Sequence, residues 1–189
     1  MGLSDILFGR KKLKGPADDR LFALTTAAVS LDMQFGLKPA GAGAVVFKPL
    51  SAGEFAQVER DMNELLETVA AGAGTTLERK QDDFGFQWIV VRDPDLEDQV
   101  TAVHAVASEL EARGFGPQLL AAVFRFDGGA HPVYWIYGFK RGTFWPFVPT
   151  GSGQDRDNAQ ELDLKAKLAP ELPVEQDLSR WFALFGAPL

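Results

Sequence analysis

The side chains that most often carry out chemistry are scarce in this sequence. There are two histidines, His104 and His131, and no cysteine. A catalytic histidine needs a nucleophile on one side and an orienting carboxylate on the other. Neither histidine has such company nearby in sequence, so both read as structural or surface residues. Without thiolates, a zinc site would have to gather both histidines and carboxylates from scattered positions, and no ligand spacing supports one. Asp155-Arg-Asp157-Asn158 begins like a calcium loop. Ala159 occupies the next alternating ligand position, however, and the downstream glycine is missing, so helix capping explains the acids better. Asp82-Asp83 and the run from Asp93 to Asp98 are explained by a hairpin turn and a helix N-terminus. Gly41-Ala-Gly43, Gly72-Ala-Gly74 and Gly151-Ser-Gly153 lack both the dinucleotide-binding spacing and the Gly-Lys-Ser/Thr of a phosphate loop. The residues therefore point away from an enzyme, a metal, a cofactor or a small-molecule substrate. A pocket bringing His104 or His131 against a carboxylate would revive the enzyme reading.

Two features suit binding instead. The first is the N-terminal stretch, where Leu3, Ile6 and Leu7 share one helical face and Arg10, Lys11, Lys12 and Lys14 follow. Such a basic amphipathic helix can lie on an anionic membrane surface, each cation adding about 1 kcal/mol near that surface. The alternative is a terminus that docks its apolar residues on the folded domain. The second feature is the aromatic density from Phe124 to Phe147. Strand alternation would place Phe124, Phe126, Trp135, Tyr137, Phe139, Trp145 and Phe147 on one face, with Tyr134 and Phe144 on the other. Aromatics on both faces require one to be core and the other to be covered by the terminal helices or a partner. A stacking platform for single-stranded nucleic acid would need more flanking cations than Arg125, Lys140 and Arg141.

These residues must be positioned by a mixed set of elements. Period-two alternation of Val29, Leu31, Met33 and Phe35 predicts a half-buried strand from Ala27 to Phe35, followed by a loop over Gly36–Gly43 and a strand at Ala44–Lys48. Ser51-Ala-Gly-Glu54 is a capping box opening a helix, with Phe55, Val58, Met62, Leu65, Leu66 and Val69 at helical spacing. A polar edge strand over Thr75–Gln81 turns through Asp82–Gly85 into a buried strand at Phe86–Arg92. Asp93 as N-cap and Pro94 at the first position then start a second helix ending at Gly114. Strands at Gln118–Phe126, Pro132–Phe139 and Thr143–Val148 follow, joined by turns at Asp127–Gly129 and Arg141-Gly142. Asp157-Asn158 caps a helix to Ala169. Leu178, Trp181, Phe182 and Phe185 predict a last amphipathic helix over Val174–Phe185.

The order of elements between residues 44 and 126 predicts an α+β fold: a mainly antiparallel sheet with a split βαβ, ferredoxin-like core, two helices on one face and extra terminal helices. The chain divides into an N-terminal amphipathic and basic segment (1–16), the α+β domain (17–150) and a C-terminal helical extension packed on it (151–189). With 189 residues, 46% of them hydrophobic and 15 of them Phe, a sizeable core is assured and disorder is excluded. The net charge of −7 opposes a general nucleic-acid binder. The lack of cysteine, of any apolar run long enough to span a bilayer and of a secretory signal predicts a cytoplasmic protein.

The C-terminal part is distinctive as a string. Tyr137-Gly-Phe-Lys-Arg-Gly-Thr-Phe-Trp-Pro-Phe-Val-Pro149, Arg156-Asp-Asn158, Leu172-Pro-Val-Glu-Gln-Asp-Leu-Ser-Arg-Trp-Phe182 and Gly186-Ala-Pro188 resemble the PspA-associated protein family PspAB. The stretches from Leu21 to Phe47 and from Gly85 to Asp93 are similar to it as well. The resemblance implies an accessory or adaptor role beside PspA, the coiled-coil membrane-remodelling protein of the phage-shock, envelope-stress response, chiefly in actinobacteria. It implies no catalytic residues and no cofactor. On this reading the protein is cytoplasmic, with peripheral contact to the inner face of the membrane through residues 2–14. Because Arg and Trp are enriched at binding hot spots, Lys140, Arg141, Trp145, Arg156 and Trp181 are the candidate partner contacts. A rival reading is a chaperone-like module that binds peptides on its sheet or in a groove.

Overall fold

The computed structural model describes residues 20–48, 51, 53, 54, 56, 57, 60, 64, 74–151 and 153–189. The N-terminal segment, with Leu3, Ile6, Leu7 and the cations from Arg10 to Lys14, lies outside them, as does most of the helix expected after residue 51. At the start of that helix the capping box is formed. The Ser51 backbone N–H and hydroxyl donate to Glu54 Oε2 at 3.0 and 2.6 Å, and the Glu54 N–H returns a longer bond to Ser51 Oγ.

Helix α1 (Ala23–Phe35) opens the described fold. A strand was expected over Ala27–Phe35, and the helix is a correction with a clear physical cause. Leu24, Ala27 and Leu31 are the buried residues, spaced three and four apart, whereas Val29 and Met33 are exposed. The alternation of large apolar residues combined core and surface positions, and the buried stripe at helical spacing decided the element. Gly36 ends α1 in the left-handed conformation and returns its N–H to Asp32 O. The next strand therefore begins at once, earlier than the expected loop allows.

Strand β1 (Lys38–Phe47) lies centrally, β2 (Thr76–Gln81) and β3 (Gln87–Arg92) form a hairpin, and helix α2 (Leu96–Ala112) follows. Strands β4 (Leu119–Asp127), β5 (Val133–Gly138) and β6 (Thr143–Phe147) form a meander, and helix α3 (Asn158–Leu168) follows it. The six strands form one antiparallel sheet in the order β2-β3-β1-β4-β5-β6. The chain is thus α+β, as expected, with β2 at the edge. The unit β3–α2–β4 is described throughout. Its counterpart from β1 to β2 passes mostly through residues outside the description, so the split βαβ detail rests there.

Local chemistry sets the element boundaries. Asp82 ties the β2–β3 turn: its Oδ1 accepts from the Phe84 and Phe86 N–H groups, and its Oδ2 accepts from Trp88 Nε1, each at 2.9 Å. The α2 N-cap is Asp95, not Asp93. Asp95 accepts from the Glu97 and Asp98 N–H groups. Asp93 is buried instead, bonded by the Thr75 hydroxyl at 2.6 Å and the Asp95 N–H at 2.9 Å, which moves the helix start two residues downstream. Asp157 caps α3 by accepting from the Gln160 N–H, as its position predicts.

Cross-strand partners share a sheet face, so the register assigns the aromatics. Phe124 pairs with Trp135 and Tyr137 with Phe144, placing Phe144 on the side where Leu21 and His104 meet Tyr137. Tyr134 pairs with Phe147 and Ile136 with Trp145 on the opposite side. The expected assignment of β6 is thereby reversed. The tight turn that pairs Gly138 with Thr143 sets the parity of β6, and turn geometry at that level is not written in the alternation.

Candidate partner-binding surface

The opposite face of the sheet is covered by the C-terminal segment, which is not the helix expected over Val174–Phe185. Only Leu178–Arg180 makes a single 3-10 turn. Upstream, Val174 forms a parallel bridge with Phe144 on the outer edge of β6. The Phe144 N–H donates to Pro173 O at 2.9 Å, and the Glu175 N–H donates to Phe144 O at 2.8 Å. Edge pairing satisfies these backbone groups against the otherwise free edge of β6.

Long side chains then fasten the segment by its backbone oxygens. Trp181 Nε1 donates to Glu175 O at 3.0 Å, Trp145 Nε1 to Phe182 O at 3.0 Å and Arg156 Nη1 to Trp181 O at 3.1 Å. Farther along, Lys80 Nζ donates to Pro188 O at 3.4 Å and Arg125 Nη1 to Leu189 O at 3.0 Å. Phe185 stacks edge-on against Phe147 at 5.0 Å between centroids. Arg125 also donates to Asp127 at 3.0 Å, a bond that raises its pKa above the ordinary arginine value.

This arrangement sorts the five candidate contacts. Trp145 and Trp181 are buried, with their indole N–H groups spent inside the chain. The Arg156 guanidinium grips the buried Glu161 and lies over the Phe147 ring. The ammonium of Lys165 sits 5.8 Å from the Trp181 ring. Trp145, Trp181 and Arg156 thus hold the segment in place. Lys140 and Arg141 are exposed on the β5–β6 turn, and Arg141 Nε lies 4.0 Å from Glu175.

The segment holds out other residues. Phe182 is 67% exposed and Leu178 49% exposed. Arg180 pairs with Asp177 at 3.0 Å beside them. The Asp177 carboxyl is held below its ordinary range, chiefly by bonds from the Ser179 hydroxyl and N–H and additionally by Arg180 and Arg141, so the two arginines act on one carboxylate. Phe182 and Leu178 escaped sequence reasoning because helical spacing counted them as core. No local signal opposed that helix, since a proline just before a helix start or shortly after its end is compatible with one.

On its other flank the segment borders an open groove of about 470 Å³, lined by His131, Pro132, Tyr134, Pro149, Phe185 and glycine backbone. Burial raises the Tyr134 phenol above its ordinary pKa, so it stays a neutral donor there. Among the described residues, no carboxylate lines the groove beside His131. His104 lines a notch with Glu111 and Tyr137 whose volume is only about 10 Å³, and it meets the Phe22 ring at 5.4 Å between centroids. Among the described residues, no group of three or more His, Asp or Glu could hold a metal ion. No helix among them is long and apolar enough to cross a membrane.

Fold and surface together define an α+β protein whose fastened C-terminal segment holds out Leu178 and Phe182 beside the Arg180–Asp177 pair. The chain belongs to the PspAB family, PspA associated protein B, whose model matches residues 1–189. No curated protein and no solved structure matches it.

Proposed function

We propose that this protein is a non-enzymatic accessory protein that acts by binding a PspA-type coiled-coil partner on the cytoplasmic side of the membrane. The observation that carries this reading is the match of the whole chain to a family described as associated with PspA. The surface around the C-terminal segment supports it, because the segment holds Phe182 out next to Arg180, and arginine is enriched at binding hot spots. Lys140 and Arg141 are the contacts retained from the sequence. Trp145, Arg156 and Trp181 serve binding by positioning the segment. Residues 2–14 add a peripheral contact with anionic lipid.

The test is an affinity capture of the PspA homologue from native cells by the tagged chain, with and without residues 1–15. Capture by both forms supports the adaptor and places its contact on the folded domain. Capture by the full chain alone moves the contact to the N-terminal segment or to a shared membrane. Capture by neither, at rest or under envelope stress, removes the reading.

A second reading, a peptide-binding module, is favoured by the groove of about 470 Å³ with Tyr134 and Phe185 on its walls. Under that reading a Tyr134→Ala variant loses binding of extended apolar peptides while still capturing PspA.

A further inference from the structure

We propose that the groove lined by Pro132, Tyr134, Pro149 and Phe185 receives a proline-rich segment in the polyproline II conformation, with the Tyr134 hydroxyl donating to one of its carbonyls. This inference rests on the reading of that groove as a peptide site and names the peptide; it does not depend on where PspA binds. Tyr134 is only 7% exposed, yet it lines the groove, and its hydroxyl has no hydrogen-bond partner among the described residues. A nearly buried phenol left without a partner is costly, and a bound acceptor removes that cost. Burial raises its pKa, so the group entering the groove is a neutral donor.

The walls suit proline rings. Tyr134 and Phe185 flank the Phe147 ring, with centroids 6.1 and 5.0 Å from it, so both rings are backed by the same core residue. Pro149 is fixed by its bridge to Arg156, and the Thr150 N–H donates to Asp155 O at 3.0 Å. Aromatic rings and pyrrolidines present flat apolar surfaces, which is how grooves take proline-rich segments. Among the described residues, no Asp, Glu, Lys or Arg lines the groove, and such a lining is matched by an uncharged occupant.

Backbone chemistry decides the conformation. A bound β-strand needs a free sheet edge, and β5 has none here, because Tyr134 pairs with Arg125 on one side and with Phe147 on the other. A bound helix spends its carbonyls on its own N–H groups. A polyproline II segment makes no internal hydrogen bonds and leaves its carbonyls open to the phenol. It is also ordered before it binds, which lowers the entropy lost on docking.

The experiment titrates the full chain with two capped peptides of equal length, hexaproline and a Val-Thr repeat, and follows backbone amide shifts by NMR. Hexaproline is expected to move the amides of Gly151, Gly153, Gly186 and Ala187 with a Kd near or below about 1 mM, and the Val-Thr peptide to bind at least roughly tenfold more weakly. Tyr134→Phe keeps the ring and loses the donor, so hexaproline should bind it roughly fivefold more weakly at an unchanged melting temperature. Equal binding of the two peptides, shifts confined to other parts of the chain, or an unaltered affinity in Tyr134→Phe overturns the proposal. Binding of the Val-Thr peptide alone overturns it while leaving the peptide-module reading standing. Binding of neither peptide overturns both.

Discussion

Arg156 sets its Nε 2.9 Å from Glu161 Oε1 and 3.0 Å from Oε2, and Glu161 is 2% exposed. The same Oε1 accepts the Val148 N–H at 2.9 Å, and the arginine reaches on to Trp181 O. One buried ion pair thus joins the first turn of α3, the end of β6 and the C-terminal segment. Removing one partner of such a pair leaves a buried charge uncompensated, which outweighs the net gain of forming it. Glu161→Gln is expected to cost about 3 kcal/mol in urea unfolding of the full chain. Arg156→Lys should recover little, because an ammonium cannot reproduce the guanidinium's several directed bonds. A loss under about 1 kcal/mol for Glu161→Gln would show the pair to be replaceable.

Trp145→Phe separates fastening from packing. The ring volume is largely kept, while the donor to Phe182 O is lost. The expected cost is about 1 kcal/mol, the usual net value of one hydrogen bond, plus faster amide hydrogen exchange confined to residues after Trp181. Exchange that rises instead throughout the sheet would mean that Trp145 holds the core rather than the segment.

The sequence shows the sheet far more clearly than what lies over it. The β2–β3 hairpin was legible because Asp82-Asp83-Phe84-Gly85 encodes its turn locally, and Asp82 makes the bonds such a turn uses. The cap at Asp157 was legible for the same reason. Helix α1 was not, because Val29 and Met33 are apolar but exposed, and an exposed apolar residue counterfeits a strand's alternation. The C-terminal segment deceived in the opposite direction. Leu178, Trp181, Phe182 and Phe185 have helical spacing, but β6 offers a free edge at Phe144 and four side-chain donors hold the carbonyls that follow. Those partners are distant in sequence, so no local pattern encodes them. The candidate surface was half legible for the same reason: Lys140 and Arg141 lie on a readable turn, while Phe182 became visible only when its helix vanished.

Gly128 is expected to tolerate no side chain. Its φ is +131°, and a Cβ there would lie 2.1 Å from Gly36 O at the end of α1. The clash is with backbone, so the hairpin and helix would have to part. Gly128→Ala is expected to destabilise by more than about 1 kcal/mol. Gly129→Ala is the matched control, since its Cβ would make only ordinary contacts at 3.7 Å and beyond. Equal melting temperatures for the two variants would contradict the close approach of α1 to the β4–β5 turn.

Tyr134 gives the fold a signature in alkaline solution. Burial raises its pKa, Asp127 adds to the rise and Arg125 opposes it. The unfolded chain should ionise this phenol near its ordinary value of about 10. Above that pH the unfolded state binds fewer protons than the native state, so stability falls as pH rises. The contribution is fully present below about pH 10 and is lost as pH climbs through the raised native value. Lysines titrate in the same window, so the informative quantity is a difference between proteins. Urea midpoints of wild type and Tyr134→Phe are expected to run parallel from about pH 7 to 9, then to separate as the wild type declines more steeply. The phenylalanine variant keeps the ring against Phe147 and cannot ionise, which makes it the direct comparison. Parallel curves up to about pH 11 would mean that the phenol is as well solvated in the native groove as in the unfolded chain.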